Sequence, residues 1–535
     1  MPHAVAPATL HDRLTDGGEI ALLDVREQGV FSRDGHPLLA VNAPASRLEL
    51  LAPALLPRRS VPVVVMDGGG DGSAGDAAAT LAALGYTDVG ILDGGAAAWR
   101  AAGYELYTGI NVPSKAFGEL VEQVSATPHM SAADVARRID GGADMVILDS
   151  RPLAEYRRMA IPTAIDAPGA ELVYRIADLA PDPATLVVVN CAGRTRSIIG
   201  AQSLIDAGVP NRVVALENGT MGWELAGLTV ERGAERVAPA PSPDGLRAAL
   251  GRARAVAARF GVETIDADGL AAWRRETDRR SLFVCDVRSP EEYVAGHLAD
   301  ARPTPGGQLV QATDDYVGVR GARLVLVDDT EVRALMTASW LVRLGWRDVR
   351  VLAGGMAATG EPLVAGPPPA PRLPAAPTVD AAELAALLAG GSTVVLDLDS
   401  SIAYRAGHVA GAWWGVRSRL AAEHGALPPA ATIVLTSSDG AVAGLAAAGM
   451  QALRPTASVR ALSGGTAAWR AAGGAMEDGF VRPLSAPDDV NYRAYDRDSD
   501  VARAAQAYLD WETGLVAQVA RDRTVPFRLD GAPRR

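Results

Sequence analysis

Cysteine and lysine are almost missing from this 535-residue chain. Its two thiols, Cys191 and Cys285, are too few for a Cys-rich zinc or iron–sulfur site or for a disulfide framework. They leave room for one reactive thiol, so no metal and no cofactor is expected. Of 51 basic residues, all but Lys115 are arginine. That excludes a GK[ST] phosphate loop and leaves almost no candidate for a Schiff-base lysine; the arginine bias itself reads as coding composition. Aromatic residues make up only 5%, so the cores must be built from Ala, Val and Leu. No apolar run approaches the roughly 20 residues that span a bilayer. The first residues, MPHAVAPATLHDRLTDGGEI, lack a basic stretch followed by an apolar one, so no signal peptide, no membrane association and a cytoplasmic location are expected. A net charge of −12 argues against nucleic-acid partners. What remains is ordinary for a globular chain, with 48% apolar and 21% charged residues, and the length suggests three or four domains.

An internal repeat organises the chain. An apolar run ending in an acid recurs as LLDVRE (Asp24), VILDSRPLAEY (Asp149), FVCDVRSPEEY (Asp286) and VVLDLDSSIAY (Asp397). A second landmark recurs downstream as LDGGAAAW (Gly94), LENGTMGW (Asn218), LAGGMAAT (Gly354) and LSGGTAAW (Gly464), always about 70 residues later. In three copies a tryptophan follows: Trp99, Trp223 and Trp469. The units span 1–110, 126–236, 245–364 and 377–480, followed by an extension, 481–535, whose segment DSDVARAAQAYLDWETGLVAQVA reads as an amphipathic helix. In the second unit, MVILD and TLVVVN are β-branched runs without polar alternation, as in strands buried on both faces of a parallel sheet. SIIGAQSLIDAG has helical spacing and a glycine stop, and RVVAL is another strand. Strand–helix alternation predicts an α/β fold, four parallel sheets flanked by helices. VAPAPSPDG (237–245) and VAGPPPAPRLPAAP (364–377) are expected to be extended spacers; GINVPSKAFGE (109–119) is less obviously a linker.

The D-V-R motif, the Gly-His pairs at Gly35–His36, Gly296–His297 and Gly407–His408, and the GG-x-x-x-W ending together resemble the rhodanese homology domain. The resemblance covers nearly the whole chain as four tandem copies, and the extension resembles that of bacterial multi-rhodanese sulfurtransferases. It implies that the reactive position lies between the central strand and the following helix. There the second copy has Cys191, in VVVNCAGRTRSII, while the first has Asp67, the third Asp328 or Asp329, and the fourth Ser437. Cys191 is thus the expected nucleophile. A helix N-terminus stabilises a thiolate and any anion bound to it. Arg194 and Arg196 add charge, Gly193 permits a tight turn, and Thr195 completes the expected substrate-binding loop.

Phosphatases of similar fold need an arginine six residues after the cysteine; position 197 is Ser, so the six-residue loop resembles the sulfurtransferase form. The implied reaction is double displacement through a Cys191 persulfide. The donor would be thiosulfate or 3-mercaptopyruvate, and the acceptor cyanide or a thiol. The alternatives are a non-catalytic scaffold of rhodanese-like domains and a persulfide relay to a partner protein. Cys285, inside an apolar strand, is expected in the core. Gly70-x-Gly72-x-x-Gly75 imitates a dinucleotide fingerprint, but the repeat frame marks it as the degenerate counterpart of the Cys191 loop. His297, His408, Asp149 and Arg151 are expected to hold the fold and Trp223 to be core or pocket wall. Tyr174 and Arg175 lie on a connection long enough to reach the pocket rim.

Overall fold

The computed structural model describes residues 2–522, 524–525 and 527–529; positions 530–535 of the expected extension lie outside them. Each repeat folds into a five-stranded parallel sheet, and all four sheets share one strand order: first, fifth, fourth, second, third. In the second unit these strands are His129–Met130, Met145–Asp149, Ile165–Asp166, Leu186–Asn190 and Val213–Leu216. Leu186–Asn190 is central and buried along its whole length, which is why its residues do not alternate in polarity. Among the described residues no helix is long and apolar enough to cross a membrane.

The recurring acid ends the second strand, fully buried. Asp149 accepts from Arg151 Nε at 2.9 Å and Nη2 at 2.7 Å, and Arg151 also reaches Met159 O at 2.6 Å. Asp24–Arg26 and Asp286–Arg288 repeat this arrangement. The fourth copy has no such arginine, and burial pushes the lone Asp397 carboxyl up to about 7. The histidines of the Gly-His pairs are structural as well: His297 Nδ1 lies 2.8 Å from Tyr293 O and its ring stacks on Tyr293.

The second landmark also acquires a physical reason. Gly219 sits at φ +55°, and a Cβ there would lie 2.4 Å from Cys191 O and 2.6 Å from Gly193 O. Its neighbours hold the same loop: Thr220 N donates to Cys191 O (2.8 Å) and Met221 N to Ala192 O (2.9 Å). Gly95, Gly355 and Gly465 press equally closely on the equivalent loops. The second landmark is therefore held in place by contact with the loop that follows the central strand of its unit.

One spacer is shorter than expected. The 237–245 spacer is extended only to Ser242, whose hydroxyl accepts from Gly245 N (3.0 Å) and starts the helix Pro243–Phe260. Proline at the first helical position costs nothing there, since its missing N–H would be unpaired anyway. GINVPSKAFGE, which does not read as a plain linker, enters a helix, Val112–Ser125. The C-terminal helix Val501–Asp522 packs on it, and Leu515 and Val519 join Leu38, Tyr107, Val112 and Ala116 in one apolar cluster. The linker and the extension therefore form one helical layer beside the second sheet.

The second and third units face each other reciprocally. Arg196 Nη1 donates to Gln308 of the third unit (3.2 Å), and Arg333 Nη1 donates to Glu171 of the second (2.9 Å). Arg196 and Arg333 are equivalent positions in the repeat, and so are Gln308 and Glu171.

Candidate active site

Cys191 immediately follows the central strand, at the carboxyl edge where open α/β sheets place their sites. Its side chain is buried, with Sγ 3.5 Å from Ser197 Oγ, at the base of the helix Thr195–Asp206. The thiol-less copies reveal what this loop is built to hold. In the third copy the equivalent residue is Asp328, whose Oδ1 accepts from the amides of Thr330 (3.2 Å) and Glu331 (2.6 Å). Its Oδ2 accepts from the amides of Arg333 (3.0 Å) and Ala334 (3.3 Å). In the first copy Asp67 accepts from Gly69 N (2.8 Å) and Ala74 N (3.2 Å). A carboxylate supplied by the chain fills the cradle in both. Among the described residues no acceptor takes the corresponding amides of Gly193, Arg194, Arg196 and Ser197. The second copy alone combines a thiol with an unfilled ring of donors.

Above Cys191 lies a cavity of about 440 Å³. Gly193, Arg194, Thr195 and Arg196 line it, as the sequence suggests, but much of the wall comes from elsewhere. Lys115 enters from the linker helix, Gln308 from the third unit, and Arg493, Tyr495, Tyr508 and Glu512 from the extension. Thr195 Oγ1 donates to Glu512 Oε1, tying the Cys191 loop to the C-terminal helix. Glu512 Oε2 is buried without a partner among the described residues, and burial pushes this carboxyl up.

Gly193 has a different reason from the tight turn expected. Its backbone is not left-handed; a Cβ there would approach Tyr508 Cε1 to 3.1 Å, so glycine makes room for the extension. Both loop arginines are engaged by carboxylates. Arg194 donates to Glu119 (2.7 and 2.9 Å), to Glu122 and to Asn218 Oδ1 (3.1 Å). Arg196 forms a two-pronged pair with Glu155 (3.0 and 2.8 Å). Burial opposes ionisation of Glu155, but Arg196 outweighs it and holds the carboxyl down at about 2. The third copy repeats this pair as Arg333–Glu292, although it has no thiol.

Tyr174 and Arg175 do not reach the cavity. Arg175 binds Glu171 (2.7 Å) and Ala238 O (3.0 Å), and Tyr174 packs under Arg333. Trp223 is core, its Nε1 donating to Thr229 O (2.9 Å). Cys285 lies inside Leu282–Asp286, and burial pushes its thiol up to about 12. Cys285→Ala is expected to retain activity and to cost on the order of 1 kcal/mol for a small cavity. Turnover and thermal melting of that variant check both, and lost turnover with an unchanged melt would assign Cys285 a chemical role.

Residues 6–102, 131–226, 267–361 and 380–472 match the Rhodanese-like domain family, and the chain belongs to that family as a tandem of four such domains. Over nearly its whole length it is similar to a solved structure, the thiosulfate sulfurtransferase from Pseudomonas aeruginosa. The two are 50% identical, the match covers 99% of this chain and 100% of the other, and the TM-score is 0.93. A curated relative, an HTH-type transcriptional regulator of Mycobacterium tuberculosis, is 34% identical over 105 residues. That match covers 20% of this chain and 45% of the regulator, so the chain spans less than half of that relative's length.

Proposed function

We propose that this protein is a sulfurtransferase in which Cys191 carries the sulfur, with thiosulfate as donor and cyanide or a small thiol as acceptor. The carrying observation is the amide cradle, filled by Asp328 in the third copy and by Asp67 in the first, but open around Cys191. Similarity to a thiosulfate sulfurtransferase over 99% of the chain supports the donor class.

In the first half-reaction the Cys191 thiolate attacks the outer sulfur of thiosulfate. A new S–S bond forms, the donor S–S bond breaks, and sulfite leaves with the electron pair. In the second, the acceptor attacks the outer sulfur of the persulfide and Cys191 departs as a thiolate, so the kinetics are ping-pong. The amides of the Gly193–Ser197 loop and the helix N-terminus hold the anionic sulfur in both steps. Gly193, Arg194, Thr195 and Arg196 surround the donor, with the charges of both arginines shared with their carboxylate partners. Cys191 is only 2% exposed beneath the roof formed by the extension, which favours small acceptors over direct transfer to a partner protein.

The test is intact-mass analysis after incubation with thiosulfate or with 3-mercaptopyruvate. One added sulfur on Cys191 is expected from thiosulfate, and a chain that gains none from either donor defeats the reading. The Arg196–Glu155 pair adds a second expectation. Arg196→Ala leaves the Glu155 charge beside the thiolate, so sulfur loading should slow about tenfold or more, the scale of one charge-assisted hydrogen bond. Adding Glu155→Gln should restore part of the rate, because the pair acts as a unit. If the double variant is no faster than the single, Arg196 contacts the donor itself.

A further inference from the structure

We infer that Lys115 holds the anionic end of the sulfur donor, making a residue of the inter-domain linker the principal side-chain contact for donor charge. This rests on the sulfurtransferase reading above and concerns the same cavity.

The argument begins with which cations are available. Arg194 is shared by Glu119 and Glu122, and Arg196 is locked to Glu155. The same lock in the thiol-less third copy, Arg333–Glu292, identifies it as part of the domain's framework. Lys115 differs from both. It is buried, lines the cavity with Cys191, and has no hydrogen bond or ion pair from its ammonium among the described residues. Placing an ammonium in a largely buried position without a protein partner is costly. Burial pulls it down to about 8; Arg196 and Arg493 press in the same direction, while Glu512 and Asp314 oppose them. A bound anion would relieve the burial and satisfy the ammonium's three donors at once.

The second observation is positional. Lys115 lies on Val112–Ser125, which packs against the C-terminal helix bearing Glu512, and the Oε2 atom of Glu512 is also buried and unpartnered. Lys115 is influenced electrostatically by Glu512, yet among the described residues no carboxylate oxygen lies within salt-bridge distance of it. Both groups line the cavity without pairing with each other. Arg493, exposed and donating to Tyr495 Oη (2.7 Å), adds positive charge to the lining of the cavity. A small dianion with a sulfur at one end and oxygens at the other fits this layout, sulfur on Cys191 and oxygens toward Lys115. Every other basic residue of the chain is an arginine. A compact ammonium on a flexible stem occupies less of a closed cavity than a planar guanidinium would.

The test measures sulfur loading of Cys191 from thiosulfate by rapid quench and intact mass, in wild type, Lys115→Met and Lys115→Arg. The concentration for half-maximal loading should rise about ten- to a hundredfold in Lys115→Met, the scale of one charge-assisted contact. Lys115→Arg should recover part of it. A second readout separates donor contact from mere support of the fold: the rate of Cys191 alkylation by iodoacetate, an anion, relative to iodoacetamide, which is neutral. The ratio cancels changes in thiolate population and should fall in Lys115→Met but not in Lys115→Arg. Lys115→Gln takes the place of Lys115→Met if the latter fails to fold. Wild type that loads sulfur alongside a Met or Gln variant with unchanged half-saturation and unchanged ratio overturns this inference alone. Wild type that takes no sulfur overturns the sulfurtransferase reading instead.

Discussion

Cys191→Ser is expected to reduce sulfur transfer below detection while leaving the melting curve unchanged. The serine hydroxyl is far less acidic than a thiol and would need a general base, a group worth about 10²–10⁴-fold in rate. Among the described residues the side chain that hydrogen-bonds Cys191 Sγ is the hydroxyl of Ser197, at 3.5 Å, which is no general base. Ser197 Oγ is itself committed to Arg194 O at 2.8 Å. The exchange removes no more than a small change in volume, so the fold should survive. The fourth copy offers an internal precedent, with Ser437 at the equivalent position inside an ordered unit. Thiocyanate formation from thiosulfate and cyanide, read beside circular dichroism, checks both halves. Near-normal turnover would remove Cys191 from the mechanism.

The largest stability effect is expected from Arg333→Met. The Arg333 side chain is fully buried and holds Glu171 of the second unit (2.9 Å), Glu292 (2.7 Å) and Asp329 (2.7 Å). Its guanidinium also lies 4.5 Å from the Tyr174 ring centroid. Removing one partner from a buried ionic cluster costs about 3–5 kcal/mol, because the remaining charges stay behind without compensation. Glu292 and Asp329 keep access to water and recover part of their solvation, so a cost near the lower end, about 3 kcal/mol, is expected. The loss falls on the interface between the second and third units, which also sets Gln308 against Arg196. Urea unfolding followed by tryptophan fluorescence should show an earlier first transition, because Trp340 lies in the same packed layer. An unchanged midpoint would mean that water replaces Arg333 at little cost.

Much of this molecule was readable from one sequence because it states its pattern four times. The repeated acid, the repeated Gly-rich landmark and the interval between them identified four α/β units and placed Cys191 on the strand-to-helix loop. These are local properties: a strand buried on both faces must be apolar throughout, and a loop pressed by a neighbouring backbone must be met by glycine. The assignment of Asp149–Arg151 and His297 to the framework was legible for the same reason, as their counterparts recur where no thiol exists.

Much of the wall of the site was not legible, because it comes from segments outside the second unit. Nothing in GINVPSKAFGE reveals that its lysine will be buried in the cavity of Cys191, nor does the amphipathic tail show where Glu512 and Tyr508 will land. Composition contained one signal, a single lysine among arginines, but not its location in space. The roles of Gly193, Arg194 and Arg196 also changed once their partners were visible: the glycine makes room for Tyr508, and the arginines answer Glu119, Glu122 and Glu155. Sequence by itself determined the fold, the repeat and the place of Cys191 on a strand-to-helix loop, since these follow from periodicity and local backbone chemistry. Only tertiary structure decided which charges are neutralised and which remain free. That depends on residues as far apart as Lys115 and Glu512, brought together when the linker and C-terminal helices bury their apolar faces against each other.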